Sequence, residues 1–364
     1  MEDMVNVWLG RRVFLTGHTG FKGGWLALWL ASRGAQIRGF SLDPATEPNL
    51  FRSASIADVL EDVRGDIRDY LKLESSLIAF APEIVCHLAA QPLVRHSYAD
   101  PLGTYSTNVM GTAHLLEAVR KTSSVRAVVC VTTDKCYDNR EWVWPYRESD
   151  PLGGHDPYSS SKACVEILTA AYRSSFFPVA CLSEHRVALA TARAGNVIGG
   201  GDWSQDRLIP DLLRGFQAGE KVQIRSPKAI RPWQHVLEPL HGYILLAEQL
   251  LAQEASAATS FNFGPSEDDV WPVHRIADTL ASMWGEGAAW TCDAAPSVHE
   301  AHSLKLDASK ARDQLGWIPR LNIEQALKWT IDWHRAWQAG KPMRKQAESQ
   351  IGAYERLVQE SLES

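Results

Sequence analysis

The sequence predicts an α/β protein, a doubly wound parallel sheet followed by a smaller, irregular C-terminal region. Three observations carry this. Short apolar strands alternate with helical stretches up to about residue 195. A glycine-rich turn separates the first strand from the first helix. After Gly199-Gly200-Gly201 the alternation fades, and Pro and Trp become frequent.

Val13-Phe14-Leu15 is a short apolar run that ends at Gly17, as a buried strand would. From Gly23 to Arg33 the apolar residues fall at helical spacing, and Gly34 stops that helix. Further strands are predicted at 36–42, 59–63, 84–90, 127–133 and 186–193, with helices at 104–121 and 158–174. Beyond residue 200, helices are predicted near 237–252, 273–284 and 323–338. The polar tail from about 345 reads as a helix docked on the surface. The expected division is 1–195 and 196–364, with some of the second part returning to the sheet. That second part is expected over the carboxyl ends of the strands, where such sheets bind ligands.

The bulk composition narrows the function. At 364 residues there is enough chain for a large core, and 45% hydrophobic with 22% charged residues is ordinary for a globular protein. A net charge of −6 argues against general nucleic-acid binding and against an anionic membrane surface. It leaves room for a small anionic substrate held by local arginines. Cys86, Cys130, Cys136, Cys164, Cys181 and Cys292 form no CxxC pair, and no secretory signal is evident. They are expected to be reduced thiols of a cytoplasmic protein. The apolar stretch Trp25 to Leu30 is too short to span a bilayer.

The segment Gly17-His18-Thr19-Gly20-Phe21-Lys22-Gly23 carries its glycines as GxxGxxG, where the dehydrogenase fingerprint has GxGxxG. The physics is the same. Missing side chains let the backbone approach a pyrophosphate, and the helix N-terminus offers free N–H groups and a positive dipole end. A tight turn alone would also use glycine, but its place between first strand and first helix points to a dinucleotide. Gly17, Thr19, Gly20, Phe21 and Gly23 are therefore expected at a Rossmann-type cofactor site. Asp43, at the end of the second strand, suits ribose hydroxyls and so NAD over NADP. It also precedes Pro44, where a turn residue would serve. Asp66 and Ile67 are placed for the adenine end, Leu88, Ala89 and Ala90 are small enough for close approach, and Thr107 follows on the next helix.

Tyr158 and Lys162 are four residues apart and so share one helical face. An ammonium near a phenol favours phenolate, and a Tyr so tuned can act as a base near neutral pH. Thr133, ending the fifth strand, could share the substrate proton.

Together these features resemble the extended short-chain dehydrogenase/reductase superfamily, over nearly the whole chain. The resemblance includes Arg193-Ala194-Gly195-Asn196-Val197 and the late Leu306-Asp307-Ala308-Ser309-Lys310 with Leu315-Gly316-Trp317. After Thr133 the family's sugar-nucleotide 4,6-dehydratases carry Asp-Glu; this chain has Asp134-Lys135. That variant, with Asn139 to Trp144 and Asp150 to Tyr158, resembles the branch acting on CDP-glucose. A solvated loop ion pair is the plain alternative for Asp134-Lys135.

The resemblance implies NAD as a recycled cofactor and a nucleotide sugar as substrate. Tyr158 would take the C4 hydroxyl proton, and Asp134 would protonate the leaving C6 hydroxyl. Lys135 would replace the family's C5 base, either as a neutral amine or as a charged stabiliser of the enolate. Arg231 resembles the family's diphosphate-binding Arg, with Arg207 a second candidate, and Gln91, Asn196 and His235 complete the expected substrate contacts. Trp142, Trp144, Trp203 and Trp233 are expected to wall off water. No metal site is expected; His299-Glu300-Ala301-His302 lacks the HExxH spacing. The helices 104–121 and 158–174 resemble the pair that joins subunits in this family, so a homodimer or dimer of dimers is expected. The competing readings are a 4-epimerase or a dehydratase for another nucleotide sugar, and a non-catalytic NAD sensor.

Overall fold

A computed structural model describes residues 6–285, 287–292 and 303–363. Its strands, in chain order, begin with β1 (Arg12–Thr16), β2 (Gln36–Ser41), β3 (Glu61–Arg64), β4 (Ile84–His87), β5 (Ala127–Val131) and β6 (Ala188–Ala194). Then come β7 (Asn196–Ile198), β8 (Val222–Ile224), β9 (Trp233–His235), β10 (Ser260–Phe263) and β11 (Trp290–Cys292). Seven of them make one parallel sheet in the order β3-β2-β1-β4-β5-β6-β10. The strand order reverses between β1 and β4, which leaves a crevice above their carboxyl ends.

Burial follows position in the sheet. Every residue of β4, β5 and β6 is buried, because helices cover both faces of the central strands. The edge strand β3 (Glu-Asp-Val-Arg) is charged and half-open, which discourages further pairing. One face packs on the helices Phe21–Ser32 and Leu237–Leu251, with Trp25, Trp29, Leu240 and Ile244 in its core. The other packs on Tyr70–Phe80 and Gly111–Arg120, through Phe14, Leu73, Leu115 and Val119. A second core lies beyond the sheet, where Leu212, Phe216, Ile276, Leu280 and Leu327 join the helices Leu208–Ala218, Val273–Trp284 and Ile323–Gln338.

Several expectations shift. The stretch expected as a strand from 59 is a short 3₁₀ turn, Ile56–Val59, followed by β3. The long helix expected at 104–121 is broken: Pro101–Tyr105 and Gly111–Arg120 flank a π turn, Ser106–Met110. Asn108 explains the break. Its side chain bridges the Gln91 backbone at 2.8 and 3.1 Å and the Ser161 hydroxyl at 2.8 Å, pinning that turn to the site. The helices Tyr70–Phe80 and Leu208–Ala218 were not anticipated. Residues from 237 to 263 return to the sheet: their helix packs on it and β10 pairs with β6. The tail is a helix, Met343–Glu363, tied down where Glu355 accepts the Trp29 indole at 2.7 Å. No described helix is long and apolar enough to cross a membrane. The stretch 299–302 lies outside the described residues.

Candidate active site

A cavity of about 650 Å³ runs over the switch point, from the glycine turn to the second core. Its cofactor-sized end is shaped by backbone. Gly17 has φ +80°, and a Cβ there would sit 2.8 Å from the Ala89 nitrogen. At Gly23 a Cβ would sit 2.1 Å from the Gly17 carbonyl oxygen. Gly20 caps the helix Phe21–Ser32 with no side chain, so the helix end presents N–H groups to the cavity. Phe21, Leu88, Ala89, Ala90 and Thr107 line the walls beside them.

Thr19 locks the turn, its hydroxyl bonding Ser41 Oγ at 2.8 Å and the Leu42 carbonyl at 3.0 Å. Asp43 lines the same end; its side chain is 87% exposed, with Arg64 only loosely near at 3.7 Å, so it is open to a ribose. Asp66 and Ile67 line it as well. Arg68 bonds Asp66 and holds its carboxyl below the usual range, while solvent screens that pair. The space, the glycine cradle and the free carboxylate fit a dinucleotide.

The middle of the cavity carries titratable side chains. The helix Pro157–Ser175 starts cleanly, with Asp156 accepting from the Ser159 nitrogen at 2.9 Å and Pro157 at its first position. That start sets Tyr158 and Lys162 against the wall. Burial pushes the Tyr158 phenol up to about 12, with a hydrogen bond to Thr133 pulling it down. Burial pushes the Lys162 ammonium down to about 8, and Glu166 opposes that. Lys162 Nζ donates to the Val131 carbonyl at 3.2 Å.

After β5 the chain makes one 3₁₀ turn, Asp134–Cys136. Asp134 Oδ1 accepts from the Thr133 hydroxyl at 3.0 Å and from Lys135 Nζ at 3.3 Å. Lys135 Nζ also donates to Asn196 Oδ1 at 3.2 Å. Asp134 is fully buried and stands behind Thr133 and Lys135, which line the cavity in its place. Its Oδ2 is buried with no partner among the described residues, a polar atom in want of one.

At the far end Arg207, Arg225 and Arg231 line the wall with Trp233. Arg207 donates to Asp202 at 2.8 Å, and Arg225 lies 3.6 Å from Asp206 with one Nη buried and unbonded. Arg231 is buried, and Asn196 lines the cavity beside the Asp134–Cys136 turn.

Two expected contacts fall elsewhere. The Gln91 side chain is spent on its own loop, bonding Leu93 and Thr104, and it does not line the cavity. His235 on β9 is a core residue, packed edge-on to Trp25 and Trp329. Of the four tryptophans, only Trp233 lines the cavity. Trp142 stacks on Tyr146, Trp144 is exposed beside it, and Trp203 packs on Trp333 and Trp337.

Sequence reasoning missed two cations. Lys22 lines the wall, and burial first, then Arg207 and Lys162, push it down to about 7. It lies inside the glycine triplet, so its position was the available signal. Arg225, six residues before Arg231, carries no such mark.

The GDP-mannose 4,6 dehydratase family model matches residues 14–330. A CDP-glucose 4,6-dehydratase of Salmonella typhimurium is 54% identical over 349 residues, covering 96% of this chain and 97% of that one. A dTDP-glucose 4,6-dehydratase of Xanthomonas campestris is 27% identical, over 88% and 92% of the two chains. Among solved structures, the dTDP-glucose 4,6-dehydratase from Bacillus anthracis in complex with NAD superposes with a TM-score of 0.73 at 21% identity, covering 90% and 97%. A UDP-glucose 4-epimerase from Thermotoga maritima with UDP-glucose gives 0.76 at 21% identity, covering 90% and 99%. At that identity the likeness is one of fold.

Proposed function

We infer that this chain, which belongs to the GDP-mannose 4,6-dehydratase family, is an NAD-dependent hydro-lyase that converts CDP-glucose to CDP-4-keto-6-deoxyglucose. The observation that carries the reading is one cavity wall holding Thr133 and Lys135 beside Tyr158 and Lys162, with Asp134 directly behind. An epimerase has no need of an acid and a cation at that turn, and a sensor has no need of any of these groups.

NAD, which Gly17, Gly20, Gly23 and Asp43 would hold, would supply hydride acceptance at C4 and hydride return at C6. Tyr158 takes the C4 hydroxyl proton, with Thr133 sharing the hydrogen bond, and Lys162, one helical turn on, is the cation assigned to the phenolate. The C4 ketone then acidifies the C5 hydrogen, and that proton passes to Lys135 as a neutral amine or to a water beside its ammonium. Asp134 protonates the C6 hydroxyl as it leaves, so one water is lost and the cofactor ends as it began. Gly17, Gly20 and Gly23 bring backbone to the pyrophosphate, and Asp43 meets the ribose. Arg207 and Arg231 hold the substrate diphosphate.

Lys135 has two roles open to it, a neutral amine that takes the C5 proton and an ammonium that stabilises the enolate. Its Nζ bonds Asp134 Oδ1 at 3.3 Å and Asn196 Oδ1 at 3.2 Å, a placement that serves either. Lys135→Ala is expected to keep some C4 oxidation and lose solvent exchange at C5; normal exchange in that variant overturns the assignment as base.

A homodimer belongs to the same proposal. Leu102 and Met110 on one helical stretch and Ile167 on the other leave apolar side chains exposed, as a four-helix subunit interface needs. A cytoplasmic setting is supported by the six cysteines, which form no disulfide among the described residues, and the same proposal takes the product as a precursor for deoxysugars of the O-antigen of lipopolysaccharide. The deciding experiment incubates the protein and NAD with CDP-glucose, dTDP-glucose, UDP-glucose and GDP-mannose separately. Loss of one water by mass is expected with CDP-glucose; no loss with any of the four overturns the dehydratase reading.

A further inference from the structure

The helix of Tyr158 and Lys162 carries a third polar residue on the same stripe. Glu166 follows Lys162 by four residues, as Lys162 follows Tyr158. It is buried, and no step above uses it. Its Oε1 accepts from the Thr132 hydroxyl. Its Oε2 accepts from the Thr191 hydroxyl at 2.7 Å and the Arg193 guanidinium at 2.8 Å. The Arg193 and Glu166 side chains are only 4% and 3% exposed.

Arg193 carries the chain of bonds onward. Its Nη1 donates to the Tyr137 hydroxyl at 2.8 Å, and Tyr137 donates to Asn262 Oδ1 on β10 at 2.7 Å. Asn262 Nδ2 in turn donates to the Tyr146 and Asp307 carbonyls. The turn is thereby held at both ends, Thr132 where it begins and Tyr137 where it ends. Thr133, Asp134 and Lys135 lie between these two anchors.

Charge gives the pair a second effect. The groups acting on or with Lys162 are Cys130 on β5, Cys136 in the turn, His87 on β4, Lys22 and Glu166. Burial pushes the Cys130 thiol up to about 12, the Cys136 thiol well above its usual range and the His87 imidazole down to about 3. Near pH 7 all three are neutral. Lys22 can only repel. Glu166 is the carboxylate of that set, and Arg193 and Arg173 face it in turn.

We propose that Glu166, anchored by Arg193, is a positioning residue of the dehydration: it fixes the turn that carries Thr133, Asp134 and Lys135, from a place one helical turn beyond Lys162. The proposal rests on the dehydratase reading for what the turn does. A test must therefore read Lys162 directly as well as turnover.

Competitive amine labelling across pH, followed by mass spectrometry, titrates Lys162 in the folded protein without substrate. In Glu166→Gln the side chain keeps its volume and loses its charge. Its Lys162 should titrate about one unit lower, with kcat at pH 7 down about tenfold or more and KM for CDP-glucose within about threefold. Glu166→Asp, which keeps the charge, should restore the titration. The single neutral variant strips Arg193 of its counter-charge, so Glu166→Gln/Arg193→Gln is made beside it to keep a folded protein in hand. An unchanged Lys162 titration in Glu166→Gln, an undiminished kcat in the double variant, or a loss confined to KM overturns the proposal. A wild-type chain that removes no water from CDP-glucose sinks the parent reading alone, because the labelling result stands without it.

Discussion

The two ends of the cavity are built to opposite designs, and on the proposed reading each would hold its ligand by different means. At the cofactor end the wall is backbone, and its specificity lies in atoms that are missing: Gly17 and Gly23 have no room for a Cβ. At the substrate end the wall is side chain, and its specificity lies in charge: Arg207, Arg225 and Arg231 converge there. A steric cradle tolerates any change except added atoms. A guanidinium cluster depends on its planar fork as well as its charge, so a Lys in its place keeps the charge and loses the fit. Between them sits the reactive stretch of Tyr158, Lys162 and the Thr133–Lys135 turn.

The largest expected effect is at that middle. Tyr158→Phe should lower kcat by about 10³-fold or more and leave the affinities for NAD and CDP-glucose within about threefold. Reduced cofactor building up on the variant with substrate would contradict the assignment. Next comes the cradle. Gly23→Ala forces a Cβ onto the Gly17 carbonyl, and about 2–3 kcal/mol of distortion should weaken NAD binding about 30- to 150-fold. Unchanged NAD affinity, measured by calorimetry, would break the steric half of the comparison.

Arg231→Ala should raise KM for CDP-glucose about tenfold and leave NAD binding alone. Arg231→Lys should recover little of it, because an ammonium lacks the planar fork. Full recovery by Lys would show that charge alone suffices at that end.

The smallest effect concerns the scaffold behind both ends. Glu238 is buried, accepting the backbone N–H of Arg320 and Leu321 and the Tyr354 hydroxyl, and burial raises it from 4.5 to about 7. The folded state therefore keeps this proton at pH values where the unfolded chain has released it. Stability should fall as pH rises from about 4.5 to about 7 and level off above. Glu238→Gln should flatten that slope in Tm against pH. A parallel slope in the variant would assign it to other groups.

The contrast also explains what the sequence revealed. The cradle was legible because absent side chains at fixed spacing leave few readings beside a turn against a ligand. Tyr158 and Lys162 were legible for a similar reason, since helical spacing alone puts them on one face. Charge in loops was legible only in part. Arg207 and Arg231 do line the cavity, yet nothing in the sequence distinguished Arg225 from a surface Arg. Gln91 and His235 stand in the right neighbourhood with their side chains turned away, Gln91 into its own loop and His235 into the core. Side-chain direction there is set by partners distant in sequence. The π turn at Ser106–Met110 was invisible for the same reason, because Asn108 finds its partners at Gln91 and Ser161.

The late strand has a consequence for how the chain is made. β6 ends at Ala194, and its outer neighbour β10 begins only at Ser260. During synthesis the sheet has five of its contacts in place while β6 presents a bare edge, and residues 195–259, which carry Arg207, Arg225 and Arg231, must leave the ribosome before that edge is covered. A chain stopped after residue 195 would keep the glycine cradle and expose the edge of β6, so it should aggregate where the full chain does not.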